Sequence, residues 1–149
     1  MTTSILIPVN DSISSRTMLD FFKSLSVDRD NVDITLLHIF RKPSASEELM
    51  GEEYMKEKQP ARMLALLEKT RAKFIESGFN PENIRTRLST DPYPTITDGI
   101  IDQFKEGNYN MIVIGRKQMS KAEEFVLGDI STKLVRTLEG VAILVVKSI

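Results

Sequence analysis

The chain has 149 residues, 41% hydrophobic and 28% charged, and its 20 Lys+Arg against 21 Asp+Glu leave a formal net charge of −1. That length suits one domain spanning 1–149 with an ample core, and that balance excludes a general nucleic-acid binder and a disordered polyelectrolyte. Cysteine is absent and His38 is the single histidine, so disulfides, thiolate chemistry and multi-histidine metal sites are excluded.

Ile5-Leu6-Ile7-Pro8-Val9 predicts a first strand, apolar throughout and suited to cover on both faces. Ser12, Ser14 and Ser15 open a helix with the stripe Met18, Leu19, Phe21, Phe22 and Leu25, and Asp11 and Ser12 are its expected caps. Residues 32–39 predict a second strand, with His38 near its end as a packed, hydrogen-bonded strand histidine. Residues 42–60, rich in Glu and Lys, predict a solvated helix or loop; their place after the second strand also suits a flap beside a ligand crevice. Pro60 starts the next helix and Gly78 ends it, with the stripe Met63, Leu64, Leu67, Phe74 and Ile75.

Residues 84–88 alternate Arg with apolar residues or Thr, which predicts an exposed edge strand. Asp91-Pro92-Tyr93-Pro94 predicts a rigid turn after it. Ile96, Ile100, Ile101 and Phe104 form a third helix, ended by Gly107. Residues 111–114 form the fourth strand, stopped by Gly115. Ile130, Leu134, Val135 and Leu138 form the fourth helix, ended by Gly140, and residues 141–146 form the last strand. Strand and helix alternate throughout, so the expectation is a parallel sheet with right-handed crossovers. A last strand at the sheet edge needs cover for Val141, Ile143 and Val145, and homodimerisation through that strand supplies it.

The richest stretch runs from Gly115-Arg116-Lys117-Gln118 through a loop of mixed charge to Gly128-Asp129-Ile130-Ser131. Two glycines bracket a loop between a strand and a helix N-terminus. Glycine lets backbone N–H groups approach a phosphate, the helix start is partly positive, and Arg116 and Lys117 add charge beside it. The plainer reading has Gly115 relieving crowding at the strand end and Asp129 acting as an N-cap.

These residues resemble the universal stress protein family, over essentially the whole chain. Residues 5–12 are similar to its first strand and turn, I-L-V-P-x-D-x-S. Leu36-Leu37-His38-Ile39 is similar to its L-L-H-V strand. Residues 111–116, 120–125, 127–131 and 141–146 continue the likeness. The resemblance implies an α/β fold of the adenine-nucleotide alpha-hydrolase type, a five-stranded parallel sheet of order 3-2-1-4-5 with helices on both faces, and a dimer joined through the last strands. It also implies a nucleotide site at Pro8, Val9, Asn10, Ile39, Gly115, Arg116, Lys117, Gly128, Asp129, Ile130 and Ser131, with ATP or AMP as the ligand.

The ATP-binding branch carries G-x2-G-x9-G-[S/T]. Gly115 and Gly128 match it, whereas Gln118 replaces the second Gly, Asp129 replaces the hydroxyl residue, and Asn10 replaces the first-strand acid. Gln118 carries a Cβ where the backbone must approach phosphate closely. Asp129 sets a carboxylate against that phosphate, and two like charges at roughly 4 Å repel by about 4 kcal/mol at an effective dielectric of 20. Asn10 retains an amide able to bond a ribose hydroxyl. The expected function is a binding and regulatory protein with a degenerate nucleotide site and no turnover. An ATP-gated switch with slow hydrolysis is the alternative. An adenylyl-transferring enzyme lacks support, because residues 10–15 contain no glycine and there is no second histidine. No apolar run approaches the ~18 residues of a membrane span and the N-terminus lacks a basic signal region, so the expected compartment is the cytoplasm, with a protein partner rather than nucleic acid or membrane.

Overall fold

The computed structural model describes residues 2–41, 52–117 and 130–148. Along them run β1 (Thr3–Pro8), α1 (Ile13–Ser24), β2 (Val32–Arg41), α2 (Glu52–Glu76), β3 (Ile84–Tyr93), α3 (Ile96–Glu106), β4 (Met111–Arg116), α4 (Ile130–Thr137) and β5 (Ala142–Lys147). The strands form one parallel sheet in the order β3-β2-β1-β4-β5. This is the expected topology, with β3 and β5 at the edges. No helix among the described residues is long and apolar enough to cross a membrane.

Strand residues alternate between the two faces, so each face makes its own core. Ile5, Ile7, Ile34 and Leu36 meet Met18 and Phe22 of α1 and Leu67 and Phe74 of α2. Leu6, Leu37, Ile112 and Ile114 meet Ile100 and Phe104 of α3 and Leu134 of α4. The rings of Phe22, Phe74 and Phe79 pack with centroids 5.1–6.2 Å apart. Arg29 closes the end of that cluster. Its guanidinium stacks 4.6 Å from the Phe79 centroid and donates to the Lys23 and Ser77 carbonyls, at the last turn of α1 and just past α2. One cation thereby satisfies helix-end acceptors of both.

Four expectations are corrected. Pro60 lies inside α2, which begins at Glu52; the good helix formers on both sides outweigh one missing backbone donor. The remainder of the charged stretch, residues 42–51, lies outside the described residues. β3 runs from Ile84 through Tyr93, across most of the 91–94 stretch expected to turn, and β2 runs on to Arg41, with a register shift between Ile39 and Arg41. An edge strand needs no second ladder partner, so Pro92 is tolerated there. The helical stripes are narrower than expected. Phe21 is 45% exposed, Leu64 46% and Val135 63%, while Thr70 is buried between Leu67 and Phe74. Gly107 does end α3, but at φ −100°; what excludes a side chain there is the ring of Tyr109.

Candidate functional site

β1 and β2 are laddered as far as Pro8–Leu37, whereas β1 and β4 are registered only at Ile5–Met111 and Leu6–Ile112. Past those pairs the carboxyl ends of β1 and β4 part. This is also where the chain reverses its direction of winding across the sheet, the position at which open α/β sheets bind ligands. A crevice opens there. Its walls include Pro8, Val9, Asn10, Ile39, Gly115 and Ile130, six of the residues singled out in the sequence.

The others stand elsewhere. Arg116 ends β4, and its carbonyl accepts from the Ser148 N–H at 2.9 Å. Lys117 follows it, exposed, and Ser131 is buried in the first turn of α4. None of the three is part of the crevice wall. Gln118, Gly128 and Asp129 lie outside the described residues, as does the 120–125 stretch. Val141 immediately precedes β5, and Ile143 and Val145 lie within it; all three are partly buried against the α3–α4 core.

The loop from β1 into α1 is tied by its own polar groups. Ser12 is the N-cap, its Oγ accepting from the Ser15 N–H at 3.1 Å. The Asn10 Oδ1 accepts from the Ser12 N–H at 2.9 Å, and the Ser15 Oγ accepts from the Asn10 N–H at 3.1 Å. Asn10 is thus held in an Asx-turn, with its Nδ2 donors uncommitted to any described residue. Asp11 is no cap; it pairs with Arg62 of α2.

Gly115 has a concrete packing role. A Cβ there would strike the carbonyl of Ser14 and lie 3.2 Å from the Cβ of Met18. The first turn of α1 rests directly on β4, and only glycine permits it. Gly99 acts alike on the other face, where a Cβ would meet Ile39 at 2.5 Å and Tyr93 at 2.7 Å. Sequence reasoning missed Gly99, which sits in the first turn of α3, where glycine is not needed for capping. It also missed Ser14, Ser15 and Ile96 as crevice walls, having assigned them to capping and core. Their placement directly after β1 or at the start of α3 was the available signal.

His38 also walls the crevice. Its Nδ1 lies 2.8 Å from the Val9 carbonyl. That oxygen only accepts, so Nδ1 carries the proton and Nε2 the lone pair. Phe40 sits edge-on at 5.1 Å. Burial holds the imidazole below its ordinary pKa, against the opposing pull of the Val9 carbonyl and the Asp11 carboxylate. The expectation of a packed, hydrogen-bonded strand histidine holds. Tyr93 serves α3 instead: its hydroxyl donates to Asp102 at 2.6 Å and accepts from Gln103 at 3.1 Å. No group of three or more His, Asp or Glu among the described residues is placed to hold a metal ion.

A model of the Universal stress protein family matches residues 1–147. No curated protein sequence matches significantly. Among solved structures, the chain superposes on hypothetical protein PH0823 with a TM-score of 0.72 at 21% identity, covering 100% of this chain and 98% of that one. It superposes on a universal stress protein in complex with cAMP with a TM-score of 0.66 at 13% identity, covering 98% and 97%. A universal stress protein family protein from Arabidopsis thaliana with AMP bound gives a TM-score of 0.67 at 19% identity, covering 99% and 92%. At these identities the likeness is one of fold.

Proposed function

Because the chain belongs to the universal stress protein family, we propose that it is a regulatory protein binding an adenine nucleoside monophosphate in the β1–β4 crevice without turnover. The observation that carries this reading is the parting of β1 and β4 at the switch point, with Asn10 and His38 on the walls beside apolar residues. A base needs apolar walls and a few fixed polar groups; Ile39, Ile96 and Ile130 offer the former. The Asn10 amide and the His38 Nε2 offer a donor and an acceptor. The solved relatives carrying AMP and cAMP support this ligand class. Gln118 and Asp129, where the ATP-binding pattern has Gly and Ser or Thr, weigh against a triphosphate.

The reading without turnover rests on the sequence: Gln118 and Asp129 stand where the ATP-binding pattern has the Gly and the Ser or Thr, so the groups that would position a triphosphate for transfer are replaced. The protein works in the cytoplasm as a homodimer joined through β5. Supporting the dimer, β5 ends the sheet with Ile143 and Val145 half-buried, and the exposed Phe21 and Val135 lie on α1 and α4, the two helices that pack against β5. The ATP-gated switch remains the second reading, favoured by the Arg116-Lys117 pair at the end of β4.

Thermal unfolding with AMP, cAMP and Mg-ATP separates these readings. A ligand at about 100 times its Kd stabilises by about 2.7 kcal/mol, which raises Tm by about 5–10 °C in a chain of this size. We expect that rise with AMP or cAMP and a smaller one with Mg-ATP. A larger rise with Mg-ATP favours the switch, and no rise with any of them removes the crevice as a nucleotide site.

A further inference from the structure

On the face of the sheet carrying α1 and α2, a groove of about 340 Å³ runs between the two helices. Arg16 and Lys23 of α1 line one side, and Arg62, Lys69 and Lys73 of α2 line the other. The spacing explains the arrangement. Positions 62, 69 and 73 recur at i, i+7 and i+11, which sets them on one flank of a helix, and 16 and 23 form the facing flank. Leu19, Leu66 and Phe74 lie beneath, with the buried Thr70, whose hydroxyl donates to the Leu66 carbonyl.

Among the described residues, five cations therefore face two carboxylates, Asp11 and Asp20. Asp11 is taken by Arg62, and Asp20 lies 3.4 Å from Lys23. Arg16, Lys69 and Lys73 make no ion pair among the described residues. In a chain whose formal net charge is −1, this is a local reversal of sign. Like charges facing each other across a groove repel, and an anion laid between them converts that repulsion into attraction.

The form of the groove selects among anions. Residues 62 to 73 span about 16 Å of helix axis, the length of about five residues of extended chain. The floor is apolar, which an inorganic polyphosphate leaves unused. Phe74, the one ring among its described residues, is fully buried, so those residues offer no aromatic platform to stacked bases. We propose that the α1–α2 groove docks an acidic segment of a partner protein carrying interspersed apolar residues, which seat on the half-buried Leu66 while its carboxylates meet Arg16, Lys69 and Lys73. The groove begins at Asn10 and Asp11, and Asn10 also walls the crevice, so the two sites adjoin. The docking site does not depend on nucleotide occupying the crevice.

The test is fluorescence anisotropy of the full chain with a fluorescein-labelled peptide, Glu-Glu-Leu-Glu-Asp-Leu-Glu-Glu. Saturable binding is expected, weakened about tenfold by combining Arg16→Ala, Lys69→Ala and Lys73→Ala, each an exposed pair of modest strength. Raising salt from about 50 to about 300 mM should weaken it similarly. Urea unfolding of the triple variant checks that the fold is intact. An all-Glu octapeptide, sodium tripolyphosphate and an oligo-dT of equal charge serve as competitors and should each bind more weakly. The proposal is overturned if the peptide fails to bind, if the triple variant binds it unchanged, or if any competitor matches it.

Discussion

At the residue scale, His38 offers the sharpest handle, because it is the only imidazole in the chain. Burial lowers its pKa in the folded state, so the folded protein refuses a proton that the unfolded chain accepts. Above the ordinary value of about 6.5 both states are neutral and His38 contributes no pH dependence; as pH falls through that value toward the depressed one, stability is lost. An NMR titration of the imidazole should give a midpoint below 6.5. Urea midpoints should decline between about pH 7 and pH 5, less steeply in His38→Gln. A midpoint at or above the ordinary value contradicts the packing described. Gly115 gives a second test. Gly115→Ala drives a methyl group against the Ser14 carbonyl and should cost about 1–3 kcal/mol in urea unfolding, as overpacking does. Gly140→Ala meets open space and carries only the strain of φ +68°, about 1 kcal/mol. The position of Gly115 was legible in the sequence, and close approach was one of two readings weighed for it. The partner was not legible, because the Ser14 carbonyl stands 101 residues away and only the fold brings it there.

At the scale of elements, periodicity carried the reading wherever a face was fully buried. Met18, Phe22, Leu67, Phe74, Ile100 and Leu134 all lie in the cores assigned to them. It failed at stripe margins, since Leu64 and Leu67 read alike in sequence yet Leu67 is fully buried while Leu64, at the edge of the same face, is 46% exposed. Leu67→Ala should cost about 2–5 kcal/mol, as buried leucines do, while Leu64→Ala should stay within about 0.5 kcal/mol. Equal costs would contradict the register of α2. β3 was underestimated for a related reason. Pro92 is a breaker by local rules, and what accommodates it, an edge position with a register shift against β2, is a tertiary fact. The crevice was half legible. Six of its wall residues follow from motif positions, whereas Ser14, Ser15 and Ile96 join it only because α1 and α3 start at the same end of the sheet.

At the scale of the molecule, the sheet order followed from strand–helix alternation together with family likeness, and it leaves β5 as an edge with apolar residues on the helices around it. Association through that edge should be abolished by Val145→Lys, which sets a charge beside the pairing strand. Light scattering after size exclusion should then report a monomer where the parent chain gives a dimer. A monomeric parent chain would remove the proposed assembly.

The parted ends of β1 and β4 are proposed to bind an adenine mononucleotide. An amide-resolved NMR titration with AMP tests it most directly, because it reports both binding and place. Saturable shifts are expected at Val9, Asn10, Ser12, Ile39 and Gly115, with the His38 imidazole moving alongside and the α1–α2 groove residues Lys69 and Lys73 unmoved. Shifts centred elsewhere, or none at millimolar AMP, would contradict it.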